Sequence, residues 1–312
     1  MDKAITCLEC DKVFLEESSL HRHIKAHKMS QRDYYFQHFP RWDKLDGMPI
    51  EFKNKEYYFE HDFNSRANLR DWVYRVSPEE AKTYVRQLLI DRKRRKNLTY
   101  APCQVELRSL PMPGMAYMNK LFGNYYDEAL QLGFKLKCDT LRFDGNWQKF
   151  HVEHKVICDT REQMPLSFNE LKTMHQGLKF GDYKLNDDIF SHSCCIERKS
   201  IGDFYGTLTQ GYARFCNELD RAQQAGFYLI VIIEGLYEDV VGHTTKLKQI
   251  STKHPEYAMH NMRNLCQNYP MLQFLFVENR DEASEVILKL FQSNGQFKKI
   301  DLQYAYDTGN LI

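Results

Sequence analysis

Gly181-Asp182-Tyr183, followed after a short gap by Ile196-Glu197-Arg198-Lys199-Ser200, is the stretch from which the fold and its chemistry can be read. The segment Cys194-Cys195-Ile196-Glu197 reads as a short strand. Side chains on a strand alternate between its faces, so Glu197 and Lys199 project to one side and Arg198 to the other. Gly181 permits a tight turn, through which Asp182 approaches Glu197 and Lys199 from the preceding strand. An acid, a spacer and Glu-x-Lys form by themselves a loose pattern, because exposed strands carry such pairs freely.

The three residue types suit one kind of chemistry. Cleaving a phosphodiester builds negative charge on the attacking and leaving oxygens, and a divalent metal can polarise the phosphate and acidify a bound water. Mg²⁺, or Mn²⁺ in its place, takes hard oxygen ligands, commonly one or two carboxylates completed by water. Asp182 and Glu197 supply the carboxylates. Lys199 supplies a cation that can orient the water and balance charge.

Around this stretch, elements alternate. Lys155 to Asp159 reads as a strand ending in an acid, Asn169 to His175 as a helix, and Phe204 to Ala225 as a helix with an internal Gly211. Phe227 to Ile233 and Met271 to Val277 read as strands, and Arg280 to Phe291 as a helix. Strands alternating with helices predict an α/β domain with a central mixed sheet. The residues from about Asn294 onward are polar and read as a loose tail.

The N-terminal part has a different texture. Cys7-x2-Cys10-x12-His23-x3-His27 is a zinc-ligand spacing, with the histidines one helical turn apart and Phe14 and Leu20 placed as a small core. A segment this short needs Zn²⁺ for much of its stability. It resembles the C2H2 zinc-finger family, in which the helix often enters the DNA major groove. Glu16, Glu17, Ser18 and Ser19 at the helix start are poor in base-reading side chains, so accessory DNA contact and protein binding both stay open. Residues 29–76 are rich in aromatics, with a short strand read at Glu56 to Phe59 and no role assigned beyond packing or a partner surface.

Ser77-Pro78-Glu79-Glu80 opens a helix that runs into Asp91-Arg92-Lys93-Arg94-Arg95-Lys96. Between Lys82 and Lys120 there are 9 basic residues against 2 acidic, although the whole chain is only +1. A polyanion would find its footing there, with Arg92, Arg94, Arg95, Lys96 and Lys120 on phosphates. A charge run is also the ordinary content of a solvated helix face. The segment from Tyr84 to Phe134, with Leu121-Phe122-Gly123-Asn124-Tyr125 and Leu132-Gly133-Phe134, loosely resembles the helical repeats that accompany homing endonucleases.

The string Asp159-Thr-Arg-Glu162, then Gly181-Asp182-Tyr183, then Glu197-Arg198-Lys199 with Asp203 resembles the XPF-type nuclease domain, a branch of the restriction-endonuclease-like PD-(D/E)xK superfamily. Leu229 to Gly235 is similar to the family's following strand, and the likeness covers about Val156 to Phe291. The resemblance implies that Asp182 and Glu197 bind the metal and that Lys199 is the catalytic lysine. It implies supporting roles for Asp159, Glu162 and Asp203, and for Arg198 a hold on the site or on phosphate. For Arg198 and Asp203 a structural ion pair is the competing reading.

Members of the family usually add C-terminal helix-hairpin-helix pairs. The short remainder here points instead to targeting by the finger and basic segment, as in a phage or mobile-element (homing-type) endonuclease. The alternatives are a structure-specific nuclease on branched DNA and a catalytically inactive DNA-binding protein.

The expected organisation is therefore a finger (1–28), an aromatic-rich region (29–76), a basic helical DNA-binding region (77–145), an XPF-type nuclease domain (146–293) and a tail (294–312). DNA is the expected partner, with a homodimer as a further expectation. No apolar run approaches the ~20 residues of a membrane span, and no signal peptide is read at the N-terminus. The expected location is the cytoplasm of a bacterium or a phage-infected cell, or the nucleus in a eukaryote. Of the nine cysteines, the seven other than Cys7 and Cys10 read as buried thiols.

Overall fold

The computed structural model describes residues 4–145, 147–242 and 255–311. The chain divides into two compact units, one made of Met1–Val85 with Leu110–Pro113, the other of Arg86–Ser109 with Gly114–Ile312.

In the first unit, strands β1 (Ile5–Thr6) and β2 (Val13–Phe14) form an antiparallel hairpin that leads into helix α1 (Glu17–Ile24). Helices α2 (Gln31–His38), α3 (Lys55–Glu60) and α4 (Arg66–Arg75) follow. Leu20 and Ile24 of α1 are buried with Tyr34, Tyr35, Ile50 and Tyr58. The N-terminal hairpin and helix therefore share one core with the aromatic segment, which has a packing role. The strand expected at Glu56 to Phe59 is α3 instead, because the Asn54 side chain caps a helix by accepting from the Tyr57 N–H.

Helix α5 (Pro78–Lys96) is followed by α6 (Gln104–Arg108), α7 (Met115–Phe122) and α8 (Tyr125–Gln131). The sheet comprises β3 (Lys155–Cys158), β4 (Lys172–His175), β5 (Tyr183–Leu185), β6 (Cys194–Ser200), β7 (Tyr228–Glu234) and β8 (Leu272–Val277). Its order is β4-β3-β5-β6-β7-β8. The pairs β3–β5 and β5–β6 are antiparallel, and β3–β4, β6–β7 and β7–β8 are parallel, so the sheet is mixed as expected.

Helices α9 (Asp188–Ser191), α10 (Ile201–Leu208), α11 (Tyr212–Gln224), α12 (Tyr237–Gly242), α13 (Pro255–Asn268), α14 (Arg280–Gln292) and α15 (Leu302–Asp307) complete the unit. Strand β7 is apolar from Leu229 to Ile233 because both its faces are covered there. Leu229, Val231 and Ile233 pack with residues of α10, α11 and α13, while Ile230 and Ile232 pack with residues of α14 and α15.

Four further expectations change. Asn169 to His175 holds the edge strand β4, not a helix, and the strand is exposed along its whole length. The helix read from Phe204 to Ala225 is two helices, α10 and α11, separated at Thr209–Gly211. The residues read as a loose tail are ordered: Phe297, Ile300, Leu302, Ala305 and Leu311 are buried in the core on the α14 side of the sheet. The segments Arg86–Ser109 and Gly114–Gly145 lie in the same compact unit as the sheet rather than apart from it. Val105 joins the sheet's core cluster, and the Gln104 N–H donates to Asp301 at 2.6 Å.

Because Leu302 is fully buried, Leu302→Ala is expected to cost about 2–5 kcal/mol. Chemical denaturation measures it, and an unchanged midpoint would return this segment to the status of a tail.

Candidate active site and metal centre

The apolar half of β6 lies in the sheet core, and its polar half, Glu197 to Ser200, emerges at the carboxyl end of the strand. Asp182 is brought to it by backbone geometry. Gly181 has φ +66°, and a Cβ there would fall 2.6 Å from the Ile196 carbonyl oxygen, so the turn needs glycine. The Asp182 N–H donates to the Ile196 carbonyl at 2.7 Å, and the Asp182 carbonyl accepts from the Asp159 N–H at 2.8 Å. Its carboxylate Oδ2 accepts from the Arg198 N–H at 2.8 Å. On the adjacent positions of β6, Lys199 Nζ lies 2.8 Å from Glu197 Oε1.

Burial first, and the Glu197 carboxylate second, push Asp182 up to about 7. Two carboxylates in this space repel, and a divalent cation between them would relieve that repulsion. The donor set, two acids and no soft ligand, fits Mg²⁺ or Mn²⁺ completed by water. Among the described residues, Asp182 and Glu197 are not part of any group of three or more His, Cys, Asp or Glu ligand atoms lying within 4.8 Å of one another.

A third acid near the site escaped the sequence reading. Glu218 lies on α11, one turn beyond Phe215, whose ring centroid is 5.7 Å from Lys199 Nζ. Burial and then Glu197 raise the Glu218 carboxyl, while Lys199 and a hydrogen bond from the Gly181 backbone lower it. The available signal was an acid set among Phe215, Leu219 and Ala222, the buried face of an amphipathic helix.

The other predicted residues form the frame. Asp159 is fully buried, and its carboxylate accepts from the N–H groups of Arg161 (2.8 Å) and Leu178 (2.6 Å) and from the Arg161 guanidinium (2.7 Å). These bonds, that of the Arg161 side chain foremost, hold Asp159 down at about 2. Arg198 projects to the face opposite Glu197. Its Nη2 donates to Glu162 Oε1 at 3.0 Å and its Nη1 to Glu234 Oε1 at 2.9 Å, and Glu234 also lies 3.6 Å from Arg280 Nη1. Asp203 stands at the start of α10, where the Ser200 hydroxyl donates to its carboxylate at 2.6 Å and accepts from its N–H at 3.1 Å. That is a helix cap one turn removed from Lys199.

In the first unit, Cys7, Cys10, His23 and His27 converge, all four ligand atoms within 4.8 Å of one another. Cys10 Sγ is 3.1 Å from His23 Nε2, Cys7 Sγ is 3.6 Å from His27 Nε2, and the two Nε2 atoms are 3.0 Å apart. Tetrahedral Zn²⁺ bonds imply ligand separations of about 3.3–3.8 Å, so the residues fit that ion.

The basic residues divide. Arg94, Arg95 and Lys120 are exposed and Lys96 is half-buried. Arg92 is 9% exposed, which withdraws it from the expected phosphate contact. The helical period turns it inward, and with Lys96 it lines a pocket shared with His260 and Arg263 of α13.

Sheet order and site together define an α/β domain with a mixed central sheet and two acids and a lysine at the end of β6. Residues 152–290, rather less than half of the chain, match the family described as the ERCC4 domain. The DNA repair protein RAD1 of Saccharomyces cerevisiae is 27% identical over 190 residues, or 54% of this chain and 16% of that protein, so the chain spans only a small part of this relative. XPF from Aeropyrum pernix aligns at 21% identity and a TM-score of 0.32, covering 44% of this chain and 64% of the archaeal one. The same archaeal protein in complex with DNA aligns at 17% identity and 0.33, covering 46% and 65%.

The depressed Asp159 carboxyl sets a pH dependence. Its stabilising contribution is present above the unfolded value of about 3.9 and is lost as pH falls towards the folded value. Asp159→Asn is expected to cost about 1–2 kcal/mol at pH 7, with the difference from wild type shrinking below about pH 4. Unfolding curves across this range measure it; a penalty independent of pH would refute the assigned cause.

Proposed function

We propose that this protein is a metal-dependent DNA endonuclease that hydrolyses phosphodiester bonds in branched or otherwise structured DNA. The observation that carries the reading is the meeting of Asp182, Glu197 and Lys199 at the end of β6, inside the segment matching the ERCC4 domain. Preference for structured DNA rests on the similarity to a DNA repair protein. The homing-type reading gains no support from these similarities.

A bound Mg²⁺ or Mn²⁺ would supply phosphate polarisation and a water of lowered pKa. Asp182 and Glu197 are the residues that hold it. Lys199 donates hydrogen bonds to the attacking water and offsets the charge of the two acids. Glu218, which interacts electrostatically with Glu197 and Lys199, accepts a hydrogen bond from the Gly181 backbone and so fixes that turn. Asp159, Glu162 and Arg198 maintain the frame, and Asp203 seats α10 against it. Arg94, Arg95, Lys96 and Lys120 are proposed to neutralise DNA phosphates without reading sequence. Cys7, Cys10, His23 and His27 are proposed to bind Zn²⁺ and so stabilise the aromatic core around Tyr34 and Tyr58. A catalytically inactive DNA-binding protein is the weaker reading, since Asp182, Glu197 and Lys199 are all in place.

With Mg²⁺, the wild-type chain should nick plasmid and cut flap or fork substrates faster than linear duplex. Asp182→Ala and Lys199→Ala should each lower the rate by about 10²–10³-fold, the scale of losing a main electrostatic contributor. Undiminished cutting by both variants would place the chemistry elsewhere, and equal rates on linear and branched DNA would remove the substrate preference. For the finger, adding Zn²⁺ to chelator-treated protein should raise the thermal midpoint and Cys10→Ser should diminish that rise; no response in the wild type, or an undiminished one in Cys10→Ser, would discard the zinc assignment.

A further inference from the structure

Away from the β6 site and the finger, two thiols and a carboxylate meet in the interior of the second unit. Cys103 immediately precedes α6, Glu106 lies within it, and Cys266 belongs to α13. The two sulfurs and a carboxylate oxygen all lie within 4.8 Å of one another. Glu106 is 2% exposed and Cys266 1%, whereas Cys103 is half-buried. Two ligands are therefore anchored in the interior, and the third is partly exposed.

The surroundings are those of a held ligand set. Glu106 Oε2 accepts from the Cys103 N–H at 3.0 Å, and Oε1 accepts from Gln267 Nε2 at 2.8 Å. Gln267 is itself fixed by the Tyr100 backbone, whose N–H donates to Gln267 Oε1 at 3.2 Å. Outer hydrogen bonds of this kind orient a ligating carboxylate. Cys103 and Cys266 also line a cavity with Lys137, Cys138 and Asp301, and Lys137 Nζ donates to the Cys266 carbonyl at 2.6 Å. Two thiolates and a carboxylate carry a charge that a dication and the neighbouring ammonium together cancel. Thiolates favour a soft or borderline cation over Mg²⁺.

We propose that Cys103, Glu106 and Cys266 bind one Zn²⁺-class cation, which ties α6 to α13. A tetrahedral ion needs ligand separations of about 3.3–3.8 Å, and the three ligand atoms, all within 4.8 Å of one another, can reach that spacing by rotation of the half-buried Cys103 side chain. Three protein ligands leave the fourth position to water. Nothing in this assignment rests on the nuclease reading, since the ligands lie outside the β6 site.

The test is Cd²⁺ titration of the full chain after chelator treatment under reductant, read by thiolate-to-metal absorbance and equilibrium dialysis. Two thiolate-bound ions per chain are expected, falling to one in Cys103→Ser/Cys266→Ser and to one in Cys7→Ser/Cys10→Ser. Glu106→Gln keeps both thiols and the shape of the site, and should weaken Cd²⁺ binding there at least tenfold while the thiolate absorbance persists. That variant decides the matter if the double serine variant does not fold. Zn²⁺ should also slow alkylation of Cys103 and Cys266 at least tenfold. Uptake confined to the finger, with Cys103→Ser/Cys266→Ser matching wild type, would overturn the proposal. So would a Cys103–Cys266 disulfide peptide from protein held without reductant that takes up no metal beyond the finger's.

Discussion

The site depends on how Asp182 is tied to β6. Its N–H reaches the Ile196 carbonyl, its carboxylate takes the Arg198 N–H, and its own carbonyl is held from β3 by the Asp159 N–H. The acid is fixed by three backbone bonds rather than by side-chain packing. That arrangement works only while β5 and β6 keep their register, Tyr183 opposite Ile196. A slip of one residue would exchange the faces of β6, sending Glu197 and Lys199 where Arg198 now lies. The apolar side chains of β6 and β7, buried on both faces of the sheet, set that register.

The two faces of the polar end of β6 divide the work. On one, Glu197, Lys199 and the neighbouring Asp182 and Glu218 concentrate acids around a single lysine. On the other, Arg198 bridges Glu162 and Glu234, and Arg280 extends the chain of ion pairs. Buried ion pairs add little net stability, but breaking one leaves an uncompensated charge and is costly. The frame is thus rigid against loss of either partner, which suits a site whose acids must stay close despite their repulsion. Asp159 serves the same end from the β3 side by saturating its carboxylate with N–H donors.

Much of this was legible in the sequence, for identifiable reasons. The alternation in Ile196–Ser200, the glycine before Asp182 and the apolar run of β7 are local patterns, and each landed in the element it announced. Where local pattern and tertiary context diverge, the reading failed. Lys172–His175 is a fully exposed edge strand with no inside face to show a period of two, so Leu171 and Met174 mimicked a helical spacing. Lys55–Glu60 is rich in aromatics, which favour strands, yet the Asn54 cap decides for a helix. In the last residues, Phe297, Ile300 and Leu302 were sparse among polar neighbours, although each is buried. Glu218 was invisible because its nearness to Glu197 is created by the packing of α11, and Arg92 because a charge run does not say which of its members faces inward.

The central claim is that Asp182 and Glu197 hold one hard divalent cation beside Lys199. Mn²⁺ binding followed by electron paramagnetic resonance, in protein kept free of DNA, tests it without relying on turnover. The account predicts one Mn²⁺ site per chain that is displaced by Mg²⁺ and is lost in Asp182→Asn while the fold, read by circular dichroism, is retained. An Mn²⁺ site of the same affinity and stoichiometry in Asp182→Asn, Glu197→Gln and the double variant would contradict it.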